Sequence, residues 1–260
     1  AAPTGPLDDL PCGLIVQPQH DSRLIEEAVF RCSPQLVRFR LAPAYALYLT
    51  ERAVFRAVNE SAELNPGRLD NCLLRVADSL SAAVADSQTE PQSLVFWLAN
   101  ASEHLHFVKR DMNLSDLSPG TVEHACDIIA AAVQSAFNML LADLQDRLQA
   151  DTPALLAPES QEDMAPYGGP EDEPVELRST PPNNPTASLL QLLRCLSGAM
   201  VVLRRCRVNA ALTIQLFSQL FHYVNACVFN QLVSPQAAGE AASGYLTASW
   251  GDLLLRRLER

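Results

Sequence analysis

Apolar residues recur at helical spacing along most of the chain. Leu69, Leu73, Val76, Leu80 and Val84 fall on one face after Pro66-Gly67, and steps of three and four residues mark an amphipathic helix. The pattern repeats after Pro91 with Leu94, Trp97 or Leu98, Ala101, Leu105, Val108 and Met112. After Ser118-Pro119 it runs through Val122, Cys126, Ile129, Val133, Phe137, Leu140, Leu144 and Leu148. Proline is tolerated in a first helical turn, where its missing N–H has no partner to lose, so each of these prolines is a start signal. Pro43 likewise opens a helix to about Asn59. Leu189, Leu192, Leu193, Leu196, Met200 and Leu203 define another from Ser188 to Arg205, with Gly198 where a neighbouring backbone can come close. Strand signals are confined to Leu14–Val16 and Leu36–Phe39, and each reads equally as a lead-in to a helix. No repeat of fixed period is present, which disfavours a solenoid of uniform units.

The most informative stretch is Leu203 to Val233, LRRCRVNAALTIQLFSQLFHYVNACVFNQLV, which holds no Asp, Glu, Lys or Arg between Val208 and Val233. On a helix, Leu212, Leu216, Phe217, Leu220, Phe221, Tyr223, Val224 and Val228 cover more than half the circumference. Gln215, Ser218, His222 and Asn225 share the remaining strip. Such a helix is expected to be the central rod of a bundle, packed on most sides. At 1.5 Å per residue it would reach about 40 Å, enough to cross a bilayer. Its Asn, Gln, Thr and His side chains would each need a partner in lipid, so membrane insertion is not the reading adopted.

The predicted architecture is all-α: an elongated bundle of roughly eight helices whose apolar stripes share a core. Residues 1–20 are expected to form an irregular arm, 21–150 a first helical part, and 188–260 a second that continues beyond Arg260. Between them, 151–187 is rich in proline and acid and cannot gather enough apolar surface to fold, so a disordered crossover is expected. This segment holds eight acids and one arginine, −7 of the chain's net −11, and leaves −4 for the rest. The folded part is thus nearly balanced. Lys109 is the only lysine, and without clustered cations nucleic-acid binding is disfavoured.

Seven cysteines at irregular positions include no CxxC pair and no zinc-like Cys/His spacing. This argues against a disulfide framework and a metal site; Cys72, Cys126, Cys195 and Cys227 lie in predicted helices and read as small buried hydrophobes in a reducing, cytoplasmic compartment. His104 and His106 lie two apart on a helix and point away from each other, so they cannot chelate one ion. No glycine-rich phosphate loop, GxSxG or opposed carboxylate pair is present, and neither an enzyme nor a cofactor is expected. Arg204, Arg205 and Arg207 sit where one helix ends and the long one begins. They can clamp a phosphate or acidic peptide, or simply serve helix C-terminal carbonyls and acidic neighbours. An arginine finger acting on a GTPase is a further reading. Asn209 is read as a cap or interhelix bridge, and Asn225 as a residue that fixes register between helices.

Three blocks also carry a resemblance. LSGAMVVLRRCRVNAALTIQLFSQLFHYVNACVFNQLV, Leu196 to Val233, resembles the dilute (DIL) domain of the afadin, Ras-interacting protein and Radil family. VFWLANASEHLHFVKRD, Val95 to Asp111, is similar to that domain's tryptophan-containing helix, with Trp97 its marker; RFRLAPAYALYLTERAV, Arg38 to Val54, resembles an earlier block. The blocks stand in family order and span about residues 23 to 260, with nothing matched between Asp151 and Ala187. The Ras-interacting protein or Radil branch is the nearer one, and a more distant similarity runs to the cargo-binding tail of class V myosins. The resemblance implies a scaffold domain of a Rap or Ras effector that links small-GTPase signalling to adhesion, junctions and the cytoskeleton, as in vessel formation or cell migration. It also implies recruitment to cell–cell junctions, with the GTPase held by another domain of the full protein. A helical regulator acting directly on a GTPase, and a self-association module forming a homodimer, are the competing readings.

Overall fold

The computed structural model describes residues 18–60, 67–152 and 185–233, and every regular element among them is helical. A 3-10 turn at Pro18–His20 leads into α1 (Asp21–Val29), followed by α2 (Ala42–Glu60), α3 (Gly67–Asp86) and α4 (Pro91–Arg110). Next come α5 (Met112–Leu117), α6 (Pro119–Asp151), α7 (Pro185–Arg205) and α8 (Ala210–Val233). The all-α multi-helix bundle expected from periodicity is what the chain forms. Leu36–Phe39 lies in turns and bends, with no strand. Leu14–Val16, the rest of the arm to residue 17, the linker at 153–184 and the end from 234 to 260 lie outside the described residues.

The starts at Gly67, Pro91 and Pro119 fall where the sequence places them. The pattern from Leu94 to Met112 does not make one helix, however. At Asp111 the backbone turns extended (φ −84°, ψ 92°), and its carboxylate accepts the N–H groups of Asn113 and Leu114. A local capping interaction thus ends α4 and opens α5 at once. Met112, placed on the apolar stripe by spacing, is instead exposed.

The chain divides into two compact units, Ala1–Ser135 and Ala136–Arg260. The division falls inside α6. The reason is the length of α6: Val122, Ala125, Cys126, Ile129 and Ala132 are buried in its first part, and Ala136, Phe137, Leu140, Leu144 and Leu148 in its second. One continuous stripe therefore supplies core to both units. Among the described residues α6 is also the helix long and apolar enough to cross a membrane by length and composition. Its other face exposes Glu123, Asp127, Gln134 and Asn138.

In the first unit α1, α2, α3 and α4 pack against one another. Every residue of α4 from Ser93 to Ala101 is buried, and a helix buried around its whole circumference must have neighbours on all sides. This corrects the expectation about the uncharged run: the enclosed stretch is Ser93–Ala101 of α4, and α8 is not enclosed. On α8 only Leu216 and Leu220 are fully buried among the described residues, while Ile214, Phe221 and Phe229 are 70%, 57% and 61% exposed. Apolar residues all round α8 raise its hydrophobicity without saying which face is covered, so composition overstated its burial.

Candidate functional site

The first unit carries a line of polar groups inside an apolar helix. Asn100, His104 and Asp111 lie on the side of α4 that meets α2, and all three are buried. Asn100 Oδ1 accepts the Ala44 N–H at 3.1 Å, within the first turn of α2. Its Nδ2 donates to the carbonyls of Arg40 and Phe96, each at 2.9 Å. Leu41, just before α2, has no side-chain acceptor, so a distant amide supplies the cap. One turn further on, His104 Nε2 lies 3.2 Å from Glu51 Oε1, and His104 Nδ1 is 3.4 Å from the Ala44 carbonyl. Burial alone would push the imidazole pKa down, yet it is raised, because the Glu51 carboxylate favours the cation by charge and hydrogen bond and the Ala44 carbonyl assists.

At the end of this line Asp111 accepts the Tyr48 hydroxyl at 2.8 Å and pairs with Arg52 at 3.0 Å. Burial, then the hydrogen bond to Asp111, push the Tyr48 phenol up to about 12. Arg52 also stacks over Phe55, 5.1 Å from the ring centre. Above these groups an aromatic ledge reaches the surface. Phe39 and Tyr45 meet at 5.3 Å, Tyr45 and Phe107 at 4.8 Å edge-on, and Tyr48 and Phe107 at 5.1 Å between centroids. Phe39, Tyr45 and Leu49 remain 55%, 41% and 43% exposed. The ledge is therefore held at its base by the part-buried Tyr48–Asp111 hydrogen bond and left open above. Exposed Arg38, next to Phe39, and exposed Arg110, three residues after Phe107, form no ion pair among the described residues.

The sequence-derived candidates do not converge on one site. Trp97 is buried and packs edge-on against Phe96 at 5.1 Å, so its place is in the core. Arg204, Arg205 and Arg207 are exposed at the turn between α7 and α8. Arg207 adopts φ 63°; its N–H donates to the Arg204 carbonyl at 3.1 Å and the Val208 N–H to that of Leu203 at 3.0 Å. That bonding pattern is a Schellman turn, which satisfies the last carbonyls of α7 and places Arg207 where glycine is usual. Asn209 caps α8, its Oδ1 accepting the Ala211 N–H at 2.8 Å. Asn225 is exposed, so it fixes no register between the described helices.

Among the described residues no group of three His, Cys, Asp or Glu side chains is placed to hold a metal ion. Burial raises the thiol pKa of Cys72, Cys126 and Cys195, which keeps them as protonated, packed groups. Sequence reasoning missed the Glu51–His104 pair and the capping role of Asn100. Their signal was a run of polar residues on the buried side of an otherwise apolar helix. No family model matches the chain.

Proposed function

We propose that this chain is a non-enzymatic protein-interaction domain, a dilute-like scaffold module of a Rap or Ras effector. In this reading the GTPase engages another domain of the full protein, and this one attaches a partner at adhesion sites, junctions or the cytoskeleton. The three sequence blocks support the family, and the observation that carries the function is the aromatic ledge of Phe39, Tyr45 and Phe107. The hydrogen bond from Tyr48 to Asp111 anchors its base while its upper surface stays open to water. Aromatic residues held rigid at a surface lose little side-chain entropy when a partner covers them, which is why such residues dominate protein contacts. A short peptide or helix with an apolar anchor fits this ledge. The test is affinity purification with the 260-residue chain and with the double variant Tyr45→Ser/Phe39→Ser. A partner retained by the first and lost by the second, at unchanged circular dichroism, supports the proposal; equal retention removes the ledge from it.

A second reading is favoured by one observation. Arg204, Arg205 and Arg207 are exposed together on one turn, as a direct regulator of a GTPase would require. Hydrolysis and exchange assays with Rap, Ras and Rho test it: a rate increase abolished by Arg204→Ala or Arg205→Ala would establish the regulator, and unchanged rates would eliminate it.

A further inference from the structure

We infer that the aromatic ledge takes an acidic peptide, one whose apolar anchor lies on Tyr45 and whose carboxylates on either side reach Arg38 and Arg110. This rests on the ledge being the docking surface, and it adds the chemistry of the partner. The rings form a row: Phe39 meets Tyr45 at 5.3 Å and Tyr45 meets Phe107 at 4.8 Å, so Tyr45 is the middle member. Each end of the row carries a cation. Arg38 is joined directly to Phe39, and Arg110 follows Phe107 by three residues on α4, a spacing that makes two helical side chains neighbours. Both arginines are exposed and form no ion pair among the described residues.

The acids closest in sequence do not neutralise these cations. Asp111 is buried and held by Tyr48 and Arg52, and Glu51 is buried against His104. Glu103 lies one turn before Phe107 and Arg110 one turn after it, so about 10 Å of helix axis separates them. The ledge is therefore apolar at its centre and positive at both ends, on a chain whose net charge is −11 and stays at −4 without residues 151–187. An apolar side chain between carboxylates is the complement of that pattern, and the forked N–H groups of a guanidinium match a carboxylate in shape as well as charge. The row also sets a register. An extended peptide advances about 3.3 Å per residue, so acids two or three residues either side of the anchor reach the arginines beyond Phe39 and Phe107. Anionic lipid shares this chemistry, but a bilayer surface is held by clusters of about four to eight basic residues, and Arg38 and Arg110 fall short of that.

Selection from a random peptide library displayed on phage, with the 260-residue chain as bait, tests the inference. The retained peptides should share an aromatic or large aliphatic anchor, with Asp or Glu enriched on both sides at that spacing. A labelled synthetic copy, followed by fluorescence anisotropy, should bind roughly tenfold more weakly to Arg38→Gln/Arg110→Gln, and wild-type binding should weaken by a similar factor between about 50 and 500 mM salt. Arg38→Glu/Arg110→Glu should reverse the preference and favour the same peptide with its acids replaced by lysine, an outcome that loss of folding cannot produce. Anchors without acidic enrichment, or affinity indifferent to the arginine variants, overturn the inference and leave the ledge standing where Tyr45→Ser/Phe39→Ser still abolishes binding. Peptides retained equally by that double variant remove the ledge as well. An empty selection also overturns the acidic peptide, while affinity purification still decides the ledge. Capture of phosphatidylserine vesicles in place of peptides, lost on Arg38→Gln/Arg110→Gln, overturns it too and assigns the cations to a membrane surface.

Discussion

Glu51 and His104 face each other at 3.2 Å with side chains 1% and 0% exposed, and the second Glu51 oxygen, Oε2, has no hydrogen-bond partner. The pair joins α2 to α4. A buried pair is costly to break because removing one member strands the other charge away from water. His104→Leu should therefore lower stability by about 3–5 kcal/mol. The double variant Glu51→Leu/His104→Leu removes both charges and the unpartnered oxygen, and should recover most of that loss. Urea unfolding of both variants checks this; a double variant less stable than either single one would contradict it.

The same pair sets a pH dependence. Both imidazole nitrogens lie near acceptors, Nε2 near Glu51 and Nδ1 near the Ala44 carbonyl, an arrangement that suits the doubly protonated ring. The folded pKa is raised above the ordinary histidine value, so folding takes up a proton when the pH lies between the two values. The stability contributed by protonated His104 is complete below about pH 6.5, the unfolded value, and is lost as pH rises through the folded pKa. The stability difference between wild type and His104→Gln should shrink from pH 6 to pH 9. A difference that grows over this range would reverse the assignment.

Asn100 tests the idea that α2 is capped from α4. Its side chain bonds to one backbone N–H and two backbone carbonyls and is 0% exposed. Asn100→Ala leaves the Ala44 N–H and the Arg40 carbonyl without their partner. At about 1–3 kcal/mol for each stranded group, a loss of several kcal/mol is expected. Asn100→Asp keeps the acceptor but replaces the donor with a charge beside two carbonyls, and should be at least as damaging. Thermal melts of the two variants measure it.

Much of this architecture was legible in the sequence because periodicity reports faces. Pro91 and Pro119 mark starts with a mechanism, and the stripe from Val122 to Leu148 requires a helix as long as α6. What could not be read depends on neighbours distant in sequence. Nothing near Glu51 announces His104, and nothing near Ala44 announces that Asn100 will cap it, because each bond closes over more than 50 residues. The burial of α8 was misjudged for a related reason: a helix apolar on all sides carries no directional signal, and only its partners determine which strip is covered. Asp111 shows the opposite failure, where a local capping bond overrode an apolar repeat that by spacing ran on to Met112.

The turn between α7 and α8 separates backbone geometry from the arginine chemistry proposed there. Arg207 holds φ 63°, a left-handed conformation that costs an ordinary residue about 1–2 kcal/mol and glycine almost nothing. Glycine also loses more freedom on folding, so Arg207→Gly should stabilise the chain by a net of about 0.5–1 kcal/mol. Arg207→Val, with a branched carbon in the same conformation, should destabilise it. Asn209→Ala next to it removes the cap on α8 and should cost about 1 kcal/mol. If Arg207 serves only the turn, Arg207→Gly raises the melting temperature and leaves partner retention and GTPase rates as they were. If the guanidinium also binds, the same variant is more stable but loses the partner or the rate effect, and measuring stability and binding together on this one substitution tells the two apart.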